Sequence, residues 1–270
     1  MRFVLAFLFC CLTSPSFAVT LTLHGEAVQG GLMFGKTDPG AAVLLDGKAL
    51  RTSADGDFLI GFSRDGKGPH DLTVTGRDGS RANRTIAVTP RSFDIQRIDG
   101  LPQRQVTPND EDLARIRAEA AEMKQARGNL GLDALFRSGF DWPADGPISG
   151  VYGSQRILNG EARAPHYGLD IAGPTGTPVR AAAAGTIVFA HPGMYFNGRT
   201  LVIDHGLGLQ SIYLHLSEIS VEPGARVEKG QRVGKIGATG RVTGAHLHWG
   251  LQWNDVYVDP LLVVPARSNP

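Results

Sequence analysis

The chain has 270 residues and a formal net charge of +1, and 42% of its residues are hydrophobic and 20% are charged. This balance excludes a disordered polyelectrolyte and a polytopic membrane protein, and the near-zero charge removes the electrostatic case for binding nucleic acid. The 35 glycines and 16 prolines predict short strands joined by tight turns rather than long helices. This length accommodates two domains of ordinary size.

The first residues have the pattern of a cleavable export signal. Arg2 supplies a positive charge, an apolar run extends from Phe3 to Leu12, and the small residues Ser16 and Ala18 in Ser16-Phe17-Ala18 suit a signal peptidase. A run of ten apolar residues is too short for a membrane span, which needs roughly 20. We therefore predict a signal peptide at residues 1–18, no membrane span, and export to the periplasm or the extracellular space. Both cysteines of the chain lie in this signal, which excludes disulfides and thiolate metal sites from the mature protein.

Residues 19–90 predict an immunoglobulin-like β-sandwich. Apolar and polar residues alternate over short runs, as in 19–23 and 71–75, which is the period-2 pattern of half-buried strands. Turn signals separate these runs at intervals typical of a small antiparallel sandwich. They are the pairs Asp46-Gly47, Asp55-Gly56, Asp65-Gly66 and Asp78-Gly79.

Residues 91–139 are predicted to be a linker that contains an α-helix at about 108–127. Thr107 is the expected N-cap, with Pro108 at the first helical position. Four apolar residues at spacings of 3, 4 and 3 form one stripe, and we expect this stripe to pack on a neighbouring domain. They are Leu113, Ile116, Ala120 and Met123.

Residues 140–265 predict a second domain, an antiparallel β domain that contains most of the histidines. His166 and Asp170 are four residues apart, so on an extended chain they face the same way, and Gly168 between them leaves room for an ion. His246 and His248 also share one face of a strand, and His215 ends an apolar strand. Two imidazole nitrogens and one carboxylate oxygen form a common zinc-binding set that leaves the fourth position for water.

These segments resemble the lysostaphin-type, or LytM-type, zinc endopeptidases, which cut peptide bonds in bacterial peptidoglycan. The resemblance covers about residues 140–260, and its motifs occur in the order typical of that family. The motifs are His166-Tyr-Gly-Leu-Asp170-Ile171, Gly176-Thr-Pro-Val179, Asp204-His205-Gly206, Tyr213-Leu-His215-Leu216, Thr239-Gly240 and Gly244-Ala-His246-Leu-His248.

The resemblance implies one Zn²⁺ per chain, bound by His166, Asp170 and His248, with His215 and His246 as catalytic histidines. A bound zinc ion lowers the pKa of its water from about 15.7 towards 7 and polarises the scissile carbonyl. We expect the two catalytic histidines to titrate near neutrality, to orient that water and to pass a proton to the leaving amine. The expected partner is peptidoglycan, cut in its cross-links or stem peptides.

Four further residues have weaker assignments. His205 matches a position that supports the site, while Arg156, Asn159 and Tyr195 are candidates for the substrate groove, with solvated loop residues as the alternative. The alternative function is a non-enzymatic cell-wall binding protein or an activator of another wall hydrolase. The complete set of matched metal ligands favours catalysis. The N-terminal domain then has three candidate roles, as a spacer, a wall-binding module or a surface for a cell-wall or division-machinery protein.

Overall fold

The structure is a computed structural model that describes residues 18–128 and 130–267. The export signal predicted at residues 1–18 lies almost entirely outside the described residues. Strands dominate this part of the chain, as the composition predicted, and two α-helices lie between the two groups of strands. Within the described ranges no helix combines the length and the apolar character that crossing a bilayer requires.

The first seven strands form the N-terminal domain. They are β1 (Leu21–His24), β2 (Leu32–Thr37), β3 (Ala42–Leu45), β4 (Lys48–Ala49), β5 (Asp57–Gly61), β6 (His70–Thr75) and β7 (Arg81–Ile86). Two sheets with the strand orders β1-β2-β5 and β4-β3-β6-β7 share one apolar core. Val43 and Val74 of one sheet and Phe58 and Ile60 of the other lie in that core. The domain is therefore a two-layer sandwich, and its immunoglobulin type stays a prediction.

The linker contains a strand that the sequence analysis did not predict. Its elements are β8 (Ile95–Ile98), α1 (Gln103–Val106) and α2 (Asp110–Ala126). The N-cap of α2 is Asn109, whose side chain accepts a hydrogen bond from the Asp112 N–H at 2.9 Å. The prediction of Thr107 as N-cap was wrong because Thr107 is the C-cap of a separate short helix, α1.

The most buried face of helix α2 is not the predicted apolar stripe. Asp112 and Glu119 are the buried residues of this helix, whereas Ala120 is exposed. Each buried carboxylate pairs with an arginine of the linker, Asp112 with Arg104 and Glu119 with Arg115. The same carboxylates also contact Tyr195 of the C-terminal domain, whose N–H donates to Glu119 at 2.8 Å and whose hydroxyl lies 3.0 Å from Asp112, so polar contacts as well as the apolar stripe position α2 on that domain.

The C-terminal domain has thirteen strands within the described residues. They are β9 (Ile148–Gly150), β10 (Gln155–Leu158), β11 (Glu161–Ala162), β12 (Leu169–Ala172), β13 (Pro178–Arg180), β14 (Gly185–Met194), β15 (Gly198–Gly206), β16 (Leu209–Leu216), β17 (Glu218–Ile219), β18 (Arg226–Val227), β19 (Arg232–Lys235), β20 (His246–Trp253) and β21 (Val256–Val258). The main sheet has the order β18-β14-β15-β16-β20-β12-β9, and β21 pairs with β20. Two smaller sheets have the orders β13-β19-β17 and β11-β10-β8, and the β8–β10 pairing is parallel.

The register of the main sheet places the histidines. On the antiparallel pair β12–β20, Asp170 lies opposite His248 and Ala172 lies opposite His246. On the next pair, β16–β20, Leu214 lies opposite His248. Because directly opposed residues of an antiparallel pair have close Cβ atoms, Asp170 and His248 meet on one face, and His215 follows at the end of β16.

Candidate metal centre

Three donor atoms converge in the C-terminal domain. His166 Nε2 lies 2.9 Å from His248 Nδ1 and 3.0 Å from Asp170 Oδ1, and His248 Nδ1 lies 2.8 Å from the same oxygen. Ligands about 2.0 Å from a tetrahedral zinc ion are about 3.3 Å apart, so these atoms would separate only slightly to surround one. His166 and Asp170 are buried, and His248 is half-buried. The predicted ligand residues thus form a compact group of two nitrogens and one oxygen.

The hydrogen bond of His166 to the backbone suits a metal ligand. Its Nδ1 lies 3.0 Å from the Val151 carbonyl oxygen, which can only accept a hydrogen bond. The ring therefore donates from Nδ1, and the lone pair of Nε2 points towards Asp170 and His248. A hydrogen bond of this kind fixes the tautomer and the ring orientation of metal-binding histidines.

Two glycines make room for the ligands themselves. A Cβ at Gly168 would lie 2.6 Å from His248 Nε2, and a Cβ at Gly150 would lie 2.6 Å from Asp170 Oδ2. The expectation that Gly168 leaves room for an ion was therefore wrong, because it leaves room for the imidazole of His248. His166 also precedes β12 rather than lying on it, so the geometry of one extended strand does not explain its pairing with Asp170.

We expect Gly168→Ala to weaken metal binding, because the added methyl group would displace the His248 ring. Losses of about 10- to 100-fold are typical when the groups that orient metal ligands are changed. Competition against a chromophoric zinc chelator would measure the affinity for Zn²⁺. Gly193→Ala is the matched control, since a Cβ there meets no atom within 4 Å. Equal zinc affinities for the two variants would contradict this role of Gly168.

The charges of the group also match a metal site. Burial acts to raise the pKa of Asp170, but the neighbouring His166 and His248 outweigh it and hold that pKa well below its ordinary value. Burial lowers the pKa of His248 to about 4. Arg156 Nη2 lies 3.1 Å from Asp170 Oδ2, on the side away from the histidines. A carboxylate and neutral imidazoles are the forms that bind metal ions.

His215 and His246 lie beside the three donor atoms, with their ring centroids 4.9 Å apart. His215 donates from Nδ1 to the Thr239 carbonyl at 2.8 Å, and His246 donates from Nδ1 to the Gly244 carbonyl at 2.9 Å. In both rings the lone pair of Nε2 is then available. His246 Nε2 lies 3.8 Å from Asp170 Oδ1.

The surroundings of His215 act against a pKa near neutrality. Burial, together with repulsion from His248 and His246, lowers the pKa of His215 to about 3. Its backbone has a φ of 64°, a left-handed conformation that is uncommon for residues other than glycine. His215 is therefore a neutral imidazole that the fold holds in a constrained backbone position.

His205 lies within β15, next to β16, the strand that contains His215, and is fully buried. Its Nδ1 donates to the Ala184 carbonyl at 2.7 Å, and its Nε2 accepts from the Ser211 hydroxyl at 2.7 Å. Burial lowers its pKa to about 4. These contacts connect three segments of the sheet beneath the site, and His205 contributes no atom to the converging group.

The three residues predicted for the substrate groove have different positions. Arg156 lines a cleft that also contains Asp170, His215 and His246. Asn159 lines neither cleft at the site, because its side chain hydrogen-bonds the N–H and the carbonyl of the linker residue Leu101.

Tyr195 also contacts the linker rather than an open groove. Its hydroxyl lies 3.0 Å from the Asp112 carboxylate and donates to the Arg104 carbonyl at 3.1 Å. It lines neither cleft, and neither does Asn159. Both side chains instead hold the linker against the C-terminal domain.

Two clefts, of about 150 and 480 Å³, meet at the site and share Arg156, Leu158, His215 and Arg241. Leu113 and Ile116 of the linker helix α2 form part of the wall of the larger cleft. The sequence analysis missed Arg241, which precedes the His246-Leu-His248 motif by five residues. No local pattern separates this arginine from a solvated loop residue; only the fold places it in the cleft.

Comparison with known proteins identifies the family. Residues 164–260 match the family model of Peptidase family M23. Peptidoglycan DD-endopeptidase ShyA of Vibrio cholerae is 35% identical over 212 residues, which cover 73% of this chain and 48% of that protein. The lipoprotein NlpD/LppB homolog of Pseudomonas aeruginosa is 36% identical over 129 residues, which cover 48% of this chain and 41% of that protein. The chain thus spans about half the length of these curated relatives, or less.

A solved structure matches over most of both chains. It is a Pseudomonas aeruginosa protein provisionally described as a peptidase M23, with a TM-score of 0.67 and 32% identity, and the match covers 88% of this chain and 94% of that chain. The fold is that of a mainly β metallopeptidase. The chain belongs to peptidase family M23, which confirms the resemblance that the motifs indicated.

Proposed function

We propose that this protein is a zinc-dependent endopeptidase that hydrolyses peptide bonds in bacterial peptidoglycan. The observation that carries the proposal is the convergence of His166 Nε2, Asp170 Oδ1 and His248 Nδ1 where two clefts meet, beside two further histidines. Membership of peptidase family M23 supports the reaction class. The name of the Vibrio cholerae relative, a peptidoglycan DD-endopeptidase, supports the substrate.

The donor set fits zinc. It consists of two imidazole nitrogens and one carboxylate oxygen, the tautomer of His166 is fixed by the Val151 carbonyl, and Gly168 accommodates the ring of His248. Three protein ligands leave one position for water or substrate, as in catalytic zinc sites. When bound there, Zn²⁺ would supply Lewis acidity towards the scissile carbonyl and a water molecule of lowered pKa.

His215 and His246 would move the protons of the reaction. Each donates from Nδ1 to a backbone carbonyl, so each presents an unprotonated Nε2. A neutral imidazole in this position accepts a proton from the attacking water and returns it to the leaving amine. Once protonated, the same nitrogen donates a hydrogen bond to the developing oxyanion.

The substrate also implies a location. Peptidoglycan lies outside the cytoplasmic membrane, which agrees with the export signal predicted at residues 1–18. The N-terminal sandwich packs against the C-terminal domain, since Leu32 and Leu59 of the sandwich lie in the same apolar core as Trp253. We propose that the sandwich provides the surface for a wall or division-machinery partner.

Digestion of purified peptidoglycan tests this function. The mature protein is incubated with sacculi, with and without EDTA, and the released fragments are analysed by mass spectrometry. We expect fragments from cleavage of one type of peptide bond, their loss with EDTA and their recovery with Zn²⁺. A zinc-loaded protein that binds sacculi but releases no fragment would contradict the proposal and favour the non-enzymatic alternative.

A further inference from the structure

Arg241 is a half-buried guanidinium in the wall of the cleft that contains Asp170, His215 and His246. Its Nη1 donates to the Gln105 carbonyl at 2.9 Å, and its guanidinium carbon lies 4.2 Å from the centroid of the Phe196 ring. Among the residues that the structure describes, it forms no ion pair. A cation withdrawn from water without a counter-ion is energetically costly, so this position suits an anionic ligand.

The surrounding charge strengthens this conclusion. Burial, together with repulsion from Arg156 and Arg163, lowers the pKa of Arg241 to about 10. Arg156 pairs with Asp170 and Arg163 pairs with Glu161, so the two neighbouring arginines each have a carboxylate partner. The positive charge of Arg241 therefore remains uncompensated beside the metal centre.

The linker presently supplies a neutral acceptor at this position. Three successive backbone carbonyls at the end of α1 accept hydrogen bonds from side chains of the C-terminal domain. The Arg104 carbonyl accepts from the Tyr195 hydroxyl, the Gln105 carbonyl from Arg241, and the Val106 carbonyl from Arg163. The Gln105 carbonyl engages one of the five N–H donors of Arg241. A carboxylate accepts two parallel hydrogen bonds from a guanidinium and binds it more strongly than a neutral carbonyl does.

We propose that Arg241 is a specificity-determining residue that binds a free carboxylate of the substrate beside the scissile peptide bond. This inference rests on the proposed function. The ligand class is a peptide that carries a carboxylate next to the cleaved bond, either at its C-terminus or on a side chain. Substrate entry then replaces the Gln105 carbonyl with that carboxylate.

Four forms of one peptide substrate test the proposal: both carboxylates free, the C-terminus amidated, the side chain amidated, and both amidated. For the zinc-loaded protein we expect kcat/KM to fall about 10- to 100-fold on amidation of the recognised carboxylate, the range for charge-assisted hydrogen bonds. The singly amidated forms identify which carboxylate is recognised. Arg241→Met should bring the ratio of kcat/KM for the acid peptide to kcat/KM for the amide peptide close to one. Arg241→Lys should keep part of the preference for the acid peptide.

The ratio of kcat/KM for the acid peptide to kcat/KM for the amide peptide separates carboxylate recognition from a structural effect. A looser linker would change cleavage of the acid and amide peptides alike and leave this ratio unchanged. Arg226→Met is the matched control, since Arg226 is an exposed arginine outside the cleft, and its ratio should equal that of the wild type. An unchanged ratio in Arg241→Met, with both peptides cleaved, would overturn the proposal and leave the proposed function intact.

Calorimetric binding of the acid and amide peptides to zinc-loaded His215→Asn provides a readout that needs no turnover. We expect the same 10- to 100-fold preference for the acid, lost when Arg241→Met is added. Equal binding of the two peptides overturns the proposal whether or not the wild type cleaves them. Failure to cleave any peptide or sacculus, with the binding preference present, counts against the proposed function alone.

Discussion

Asp170→Ala is expected to remove zinc and hydrolytic activity together. Asp170 Oδ1 lies within 3.0 Å of both ligand nitrogens and is the carboxylate of the converging group. Without it two imidazoles remain, too few for a stable site, and Arg156 loses its ion-pair partner. Changes to groups that only orient metal ligands cost about 10- to 100-fold in affinity, so loss of a ligand should exceed about 100-fold.

Zinc content by atomic emission and peptidoglycan cleavage would be measured on the same preparation. The backbone ladder between β12 and β20 does not depend on the Asp170 side chain, so circular dichroism should show a folded variant. Asp133→Ala changes an exposed carboxylate and should retain both zinc and activity. One zinc ion per chain and normal cleavage in Asp170→Ala would remove Asp170 from the metal site.

The sequence predicted the ligand residues better than their geometry. The spacing of His166 and Asp170 drew attention to the pair, but His166 precedes β12, and the two atoms meet through a turn rather than along one strand. The approach of His248 depends on the register of β12 against β20, which pairs residues 78 positions apart. Local patterns do not encode such a register; it follows from the packing of the whole sheet.

The differences between the predicted and the observed contacts have the same origin. Asn159 and Tyr195 are polar residues near the motifs, and only the fold shows that the linker, rather than a substrate, occupies their hydrogen bonds. The strand β8 was missed because its partner, β10, lies 60 residues further along the chain. Short-range alternation and Asp-Gly pairs were enough to predict a mainly β protein, since they act within a hairpin.

The second large effect is expected for His215→Asn, which should keep zinc and lose turnover. His215 supplies none of the three converging donor atoms, and its ring centroid lies 6.2 Å from the ring centroid of His248. Asparagine tolerates the left-handed backbone, here at a φ of 64°, better than alanine does, so the end of β16 should keep its conformation. The asparagine amide does not titrate near neutral pH, so it cannot accept and return a proton as an imidazole does. General acid–base catalysis contributes about 10²- to 10⁴-fold, which sets the expected fall in kcat.

Zinc content, kcat and KM would be compared for the wild type, His215→Asn and His24→Asn. His24 is an exposed histidine of β1 in the N-terminal sandwich, so its variant should match the wild type in all three quantities. Loss of proton transfer lowers kcat, whereas loss of uniform substrate binding raises KM with kcat unchanged. If His215→Asn retained more than about a tenth of the wild-type kcat, His215 would not carry the proton, and His246 would be left as the histidine that does.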